Sequence, residues 1–207
     1  MTPKVKICGL TRWEDINAAV SQGASFLGFI NAQESMRYLG LKQITLFISR
    51  IKKEFPHIQT VVVVTQKDPS HIEAIAKATG CDFLQIHSTI SVEEFNKINF
   101  KKIKVFSVKK NIEAEEVLSY RADYYLFDTY NPSKSGGIGQ VFNWGLVPGE
   151  LMSKSFIAGG LNPENVGKLR SAKHPMGIDM NSGLELRPGV KSKAKIQKLF
   201  RKLAHKW

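Results

Sequence analysis

The sequence predicts an α/β protein, a closed (β/α)8 barrel of the TIM type, on three observations. Short runs rich in β-branched and aromatic residues alternate with amphipathic helical windows along all 207 residues. Eight such pairs repeat about every 25 residues, and strict alternation requires parallel strands joined by crossover helices. The length suits one well-buried core, so we expect a single domain over residues 1–207. A doubly wound open sheet is the alternative fold.

The predicted strands are short apolar runs. They cover residues 4–8, 25–30, 59–64, 82–86, 103–107, 123–127, 155–158 and 175–179. The third contains Val61-Val62-Val63-Val64, which is continuously apolar rather than alternating. That pattern is expected of a strand that is covered on both faces.

A predicted helix follows each strand. The helices cover residues 12–22, 40–53, 68–79, 91–99, 111–119, 142–149, 162–170 and 191–204. Start signals support three of them. These signals are Asp68-Pro69, Ser91 with Glu94 three residues later, and Asn162-Pro163-Glu164.

The chain is strongly basic, with 30 Lys and Arg against 18 Asp and Glu and a net charge of +12. Such a charge can attract nucleic acid, an anionic membrane or a small anionic substrate. The densest cluster, Lys191 to Lys206, falls in the last helical window, so we interpret it as a solvated basic face and expect no nucleic-acid partner. The sequence has neither a signal-type segment nor an apolar run of about 20 residues, so we expect a cytoplasmic protein with no membrane partner.

The two cysteines are predicted to be free thiols. Cys8 ends the first strand and Cys81 begins the fourth, so they should lie at opposite ends of the sheet. That separation exceeds the limit of about 7 Å between the Cα atoms of a disulfide, and free thiols agree with a reducing cytoplasm. Cys and His do not occur at metal-ligand spacing, so the sequence indicates no metal.

Cys8 and Asp128 are the candidate catalytic residues. Each stands where a predicted strand ends, and in alternating β/α folds the carboxyl ends of parallel strands face the active-site loops. A carboxyl group at an apolar barrel mouth loses hydration and suits an acid, and a thiol facing the same cavity suits a base. Taken singly, the two residues also fit a buried core cysteine and a turn cap.

Anion-binding groups are predicted at the same end. Glycine-containing segments follow the last three strands, at 136–139, 159–160 and 181–183. Glycine lets backbone N–H groups approach a phosphate, and in barrels the loops after strands seven and eight often hold one. Arg37, after the second strand, could grip a carboxylate in bidentate fashion or simply be exposed. His87, at the end of the fourth strand, is a further polar candidate with no visible partner.

Lys6 and Asp179 are predicted to form an internal ion pair. They lie on the first and eighth strands, which become neighbours when a barrel closes, and both should point inwards. An unpaired lysine inside the barrel would be costly.

Together these segments resemble the phosphoribosylanthranilate isomerase family of tryptophan biosynthesis over essentially the whole chain. The matching segments are 5–11, 35–38, 85–87, 127–129, 136–144, 158–166 and 179–185. The most specific are Val5-Lys6-Ile7-Cys8-Gly9-Leu10-Thr11 and Gly159-Gly160-Leu161-Asn162-Pro163-Glu164-Asn165-Val166.

The resemblance implies an Amadori rearrangement of N-(5'-phosphoribosyl)anthranilate to 1-(2-carboxyphenylamino)-1-deoxyribulose 5-phosphate, with no cofactor and no metal. In that reaction Asp128 would protonate the ring oxygen and open the sugar to a Schiff base. Cys8, as a thiolate, would then remove the C2' proton. This role calls for a thiol pKa near or below its ordinary value of about 8.5.

The resemblance also implies which residues bind the substrate. Arg37 would hold the anthranilate carboxylate, and Gly160, Ser182 and Gly183 would help to bind the phosphate. The partner is therefore expected to be a small phosphorylated molecule. Both a monomer and a homodimer are compatible with the sequence.

Some loop residues depart from the family pattern but replace no proposed catalytic group. They are Thr65-Gln66, Ser88, Ile138 and Asn181. These departures make the phosphate and sugar contacts harder to predict than the reaction type.

Two alternative functions follow from the same residues. The first is an isomerase that acts on the related aminoaldose of histidine biosynthesis, or on both substrates. The family resemblance implies that such enzymes have an aspartate at the position of Cys8, which favours the anthranilate substrate. The second is a catalytically silent barrel that binds an anion or nucleic acid through its basic surface. The presence of Cys8, Asp128 and Arg37 together argues against it.

Overall fold

The computed structural model describes residues 2–129 and 141–206. Eight parallel strands close into a barrel in chain order, and the eighth pairs with the first. The predicted barrel is therefore confirmed, and the open-sheet alternative is wrong. The glycine segment at 136–139, Ile138 within it and the final residue, Trp207, lie outside the described residues.

The strands and helices follow the predicted order. The barrel strands are β1 (Lys4–Ile7), β2 (Phe26–Asn31), β3 (Gln59–Val64), β4 (Phe83–Ile86), β5 (Lys102–Val108), β6 (Tyr124–Thr129), β7 (Ser155–Ile157) and β8 (Gly177–Met180), followed by a short antiparallel pair, β9 (Glu185–Arg187) and β10 (Val190–Lys191). The α-helices are α1 (Trp13–Gln22), α2 (Leu41–Glu54), α3 (Pro69–Thr79), α4 (Val92–Lys97), α5 (Ala114–Ser119), α6 (Val166–Ala172) and α7 (Lys193–Lys206). Short 3-10 helices cover Trp144–Leu146, Gly149–Lys154 and Ser182–Leu184.

Two of the predicted helix starts show side-chain caps. The Asp68 carboxylate accepts hydrogen bonds from the backbone N–H groups of Ser70 and His71 at the start of α3. The Ser91 hydroxyl accepts one from the backbone N–H of Glu94 at the start of α4. Each cap satisfies backbone donors that the first helical turn leaves unpaired.

The sixth predicted helix, over residues 142–149, is wrong. The chain instead forms the 3-10 helices Trp144–Leu146 and Gly149–Lys154. Trp144 and Val147, three residues apart, are buried, as a helical pattern would require. Pro148 disfavours the helical conformation at the residue before it and cannot donate a backbone hydrogen bond, so an α-helix cannot run through it undisturbed.

The last helix begins at Lys193, two residues later than predicted. Lys191 belongs to β10, and its side chain is 0% exposed. The interpretation of Lys191 as part of a solvated basic face is therefore wrong. The Pro188-Gly189 pair before β10 is a turn signal that could have located this hairpin.

The amino-terminal half of the barrel interior is filled by aromatic side chains. The Phe156 ring lies edge-on to Phe26 at 5.2 Å and to Tyr124 at 5.8 Å between centroids. Gly177 on β8 leaves room for this ring, because a Cβ there would lie 2.5 Å from Phe156. A second apolar layer separates the barrel from the surrounding helices. Among the described residues, no helix is long and apolar enough to cross a membrane.

Candidate active site

Cys8 lies at the carboxyl end of β1, inside the ring of strands. Its backbone N–H donates to the Met180 carbonyl of β8 at 2.8 Å, and the residue is only 4% exposed. Gly28 on β2 leaves space for the thiol, since a Cβ at that position would lie 2.8 Å from Sγ. The position predicted for Cys8 is confirmed. Cys8 and Cys81 are both free, as expected.

The electrostatics of Cys8 differ from the expectation. Burial raises the pKa of the thiol, and the Lys6 ammonium, which hydrogen-bonds it, only partly opposes that effect. The net pKa is above its ordinary value, so the resting thiol holds its proton at neutral pH. The family resemblance calls for a thiol pKa near or below the ordinary value. The raised pKa of Cys8 contradicts that expectation.

Lys6 and Asp179 form the predicted ion pair beneath Cys8. The distance from Lys6 Nζ to Asp179 Oδ1 is 2.9 Å, and the Lys6 side chain is completely buried. Burial alone would lower the pKa of Lys6, but the Asp179 carboxylate and the Cys8 thiol outweigh it, so the net pKa is raised. Lys6 therefore remains a cation next to the thiol.

Asp128 occupies the carboxyl end of β6. Leu126, two residues earlier, packs in the barrel interior, so Asp128 points to the same side at the mouth, as predicted. Its side chain is 33% exposed and its Oδ2 lies 3.9 Å from His87 Nε2. Asp128 is also close enough to Asp179 for their carboxylates to repel each other. His87 thus has the site partner that the sequence did not reveal.

Arg37 lies in the loop between β2 and α2, and its guanidinium is held by Glu185. Arg37 Nε donates to Glu185 Oε1 at 2.9 Å, and Nη2 donates to Oε2 at 2.6 Å. This side-on pair uses two of the five guanidinium donors and leaves the end-on fork of Nη1 and Nη2. Sequence reasoning missed Glu185, because 148 residues separate it from Arg37.

The loops after β7 and β8 are tightly packed on each other. Gly160 has a φ of 64°, a left-handed conformation that favours glycine. Asn165 Nδ2 donates to the Gly160 carbonyl at 2.9 Å and so fixes that turn. A Cβ on Gly183 would collide with the Leu161 carbonyl. Gly160, Ser182 and Gly183 are therefore brought to one rim of the barrel, beside β1.

Two of the loop residues that depart from the family pattern contact each other. The Ser88 hydroxyl donates to the Gln66 carbonyl at 2.8 Å, which ties the loop after β4 to the loop after β3.

Over residues 2–129 and 141–206, no group of three or more Cys, His, Asp or Glu side chains could hold a metal ion.

Comparisons with known proteins agree with this geometry. Residues 5–202 match the family model described as N-(5'phosphoribosyl)anthranilate (PRA) isomerase. A relative named N-(5'-phosphoribosyl)anthranilate isomerase from Pelobacter propionicus is 34% identical over 199 residues, covering 96% of this chain and 94% of the relative.

Solved structures give the same result. The phosphoribosyl anthranilate isomerase of Thermotoga maritima superposes with a TM-score of 0.86 at 28% identity, covering 98% of this chain and 99% of that one. A phosphoribosyl anthranilate isomerase in complex with reduced 1-(o-carboxyphenylamino)-1-deoxyribulose 5-phosphate superposes with a TM-score of 0.78 at 27% identity, covering 98% and 99%.

Proposed function

Because the chain belongs to the N-(5'-phosphoribosyl)anthranilate isomerase family, we propose that Cys8 and Asp128 perform the proton transfers of that family's reaction. The chain is an isomerase of tryptophan biosynthesis that converts N-(5'-phosphoribosyl)anthranilate, an aminoaldose, into the corresponding aminoketose. One observation carries the residue assignment. A thiol and a carboxyl group face the same barrel mouth, and the Lys6–Asp179 pair lies beneath the thiol.

Asp128 acts first, as the acid. Its proton goes to the ring oxygen of the ribose, the bond between that oxygen and C1' breaks, and the nitrogen lone pair forms the C=N bond of the Schiff base. The position of Asp128 supports this role, since its side chain lies at the barrel mouth on the same side of β6 as the interior residue Leu126.

Cys8 acts second, as the base. Its thiolate takes the C2' proton, the released electron pair forms the C1'=C2' bond, and the electrons of the C=N bond return to nitrogen to give an enolamine. The raised pKa leaves little thiolate at rest, so stabilisation of the thiolate as it forms matters. The Lys6 ammonium, hydrogen-bonded to the thiol, provides that stabilisation.

Tautomerisation of the enolamine completes the reaction. The C2' hydroxyl proton leaves, C1' gains a proton, and the product is the C2' ketone. If the Asp128 carboxylate takes the first proton and the Cys8 thiol supplies the second, Asp128 is again the acid and Cys8 again the thiolate. The thiolate then regains from solvent the proton that it gave to solvent before it reacted, so both residues return to their resting states. The reaction then consumes neither residue and needs no other reactant.

The two anionic ends of the substrate fit the remaining site residues. The free fork of Arg37 suits the anthranilate carboxylate, and Gly160, Ser182 and Gly183 suit the phosphate. A small phosphorylated molecule is therefore the proposed partner. Two free thiols and a biosynthetic role support a cytoplasmic location.

The test is isomerase activity on freshly generated substrate, followed by the loss of its anthranilate fluorescence. We expect Cys8→Ala and Asp128→Asn each to lower kcat by about 10³-fold, the usual scale for losing a positioned acid or base. Cys81→Ala is the matched control, because it removes the other buried thiol at the opposite end of the barrel and should leave kcat unchanged.

Two results would contradict the proposal. Wild-type rates in Cys8→Ala or Asp128→Asn would remove that residue from the chemistry while leaving the family's reaction in place. A folded but inactive parent protein would overturn the activity itself and return weight to the histidine-pathway aminoaldose or to a silent barrel.

A further inference from the structure

Lys191 is a buried cation that the mechanism above does not use. Its side chain is 0% exposed, although it stands at the start of the most basic stretch of the chain. Its backbone N–H donates to Asp15 Oδ2 at 3.0 Å, which ties β10 to α1. A fully buried ammonium is costly unless each of its protons meets an acceptor.

Three acceptors surround the Lys191 ammonium. Nζ donates to Glu185 Oε1 at 2.9 Å, to Asn181 Oδ1 at 2.9 Å and to the Asn181 carbonyl at 3.2 Å. An ammonium has three N–H donors, so all of them are satisfied and the side chain is held in one geometry. One partner, Glu185, grips Arg37, and the other, Asn181, precedes the loop residues Ser182 and Gly183.

Asn181 also meets Arg37, the residue that Glu185 grips, over Gly9, directly after the catalytic thiol. A Cβ on Gly9 would lie 2.6 Å from Arg37 Cδ and 2.7 Å from Asn181 Oδ1. Arg37 and Asn181 therefore pack on the backbone next to Cys8 from two sides, and Lys191 hydrogen-bonds Asn181. Arg37 and Lys191 carry two positive charges against the single carboxylate of Glu185, so this cluster carries an excess positive charge that a substrate anion can neutralise.

We propose that Lys191 is a positioning residue that holds the carboxylate-binding side of the site, through Glu185 and Arg37, in register with the phosphate-binding loop, through Asn181. The inference rests on the proposed function, since it assigns the two sides of one site. It also gives a role to Asn181, a departure from the family pattern, whose amide oxygen is one of the three acceptors of Lys191.

The test measures the two sides separately. Anthranilate and inorganic phosphate serve as competitive inhibitors that report on the carboxylate and phosphate sides, and calorimetry measures their binding without turnover. We expect Lys191→Met to weaken both probes and to raise KM about tenfold while kcat changes less than about threefold, because it disturbs binding rather than proton transfer. Lys193→Met, which removes the same charge from an exposed side chain two residues further on, should change nothing by more than about twofold.

A second variant tests the route through the loop. Asn181→Ala removes one acceptor and leaves the Lys191–Glu185 pair, so it should weaken phosphate about threefold and leave anthranilate unchanged. In the double variant Lys191→Met/Asn181→Ala, phosphate should bind no more weakly than in Lys191→Met alone, since both act through one contact. Thermal unfolding identifies any variant that does not fold.

The outcomes separate the inference from the proposed function. The inference is overturned if Lys191→Met binds anthranilate and phosphate as well as Lys193→Met does. It is also overturned if the losses of phosphate affinity in Lys191→Met and Asn181→Ala add fully in the double variant. If Lys191→Met does not fold, Asn181→Ala decides, and equal losses for both probes or none for either overturn the inference. A parent without isomerase activity contradicts the proposed function instead, and calorimetry still decides whether Lys191 links the two anion sites.

Discussion

At the amino end of the barrel, Lys4 is exposed and its ammonium lies 5.8 Å from the centre of the Phe26 ring. Two residues along the same strand, Lys6 is completely buried and lies 2.9 Å from Asp179. Both side chains point to the same side of β1, so the difference comes from which end of the barrel surrounds them.

The amino end is organised around aromatic rings. A cavity of about 400 Å³ opens there, with Lys4 and Lys101 at its rim and no carboxylate among its described lining residues. The Lys101 ammonium lies 5.7 Å from the Phe83 ring centre. At the carboxyl end, the cations Lys6, Arg37 and Lys191 are instead paired with buried carboxylates. Apolar packing thus dominates one half of the barrel, and the other half holds the buried ion pairs of the proposed site.

The largest effect on stability is expected at the aromatic end. Phe156→Ala should lower the free energy of unfolding by about 4 kcal/mol, because it empties the centre of the aromatic cluster. Urea unfolding measures the loss. The kcat of the fraction that remains folded should be unchanged. A variant that keeps its stability but loses kcat would mean that the two ends are not divided in this way.

The next effect is expected at the charged end. Lys6→Met should lower the free energy of unfolding by about 3 kcal/mol, since it leaves the Asp179 carboxylate buried without its partner. The double variant Lys6→Met/Asp179→Leu should regain most of that stability but not the activity. If the double variant also regained activity, the reaction would not need the ion pair, and the contrast between the aromatic and charged ends of the barrel would be wrong.

A third test compares the thiols of the two ends. Burial raises the pKa of Cys81 to about 11, and it also raises the pKa of Cys8, although Lys6 opposes that shift. In a Cys81→Ala background, the rate of Cys8 alkylation should still be rising at pH 9, where an ordinary thiol is already mostly ionised. Lys6→Met should move the profile to still higher pH. A plateau below pH 8 would contradict the assigned environment of Cys8.

The smallest effect is expected for Lys4→Met. The cation lies over Phe26 at an exposed site, where such contacts contribute about 0.5 kcal/mol, so urea unfolding should change by no more than about that amount. A loss comparable to that of Lys6→Met would show that burial and pairing do not account for the difference between the two lysines.

The sequence predicted the elements that depend on local patterns. Strand ends placed Cys8, Asp128 and His87 correctly, and the closure of the barrel placed Lys6 beside Asp179. These predictions succeed because alternation and chain order determine which side chains share one end of the barrel.

The remaining features depend on contacts between distant segments. Glu185 holds Arg37 across 148 residues, and no local pattern indicates which loop an arginine will meet. The charge of Lys191 suggested exposure, and no local pattern indicated that Asn181, in the loop after β8, and Glu185, on β9, would supply its acceptors. The sixth helix failed for a local reason, because Pro148 and Gly149 interrupt the helical window.

The protonated state of Cys8 also has a consequence for chemical durability. Peroxide oxidises thiolates far faster than thiols, and the products beyond sulfenic acid are not restored by ordinary reductants. A side chain that is 4% exposed and has a raised pKa is mostly protonated, and in the proposed mechanism it becomes a thiolate only during turnover. The same burial that slows the resting thiol therefore shields the enzyme from irreversible oxidative inactivation between catalytic cycles.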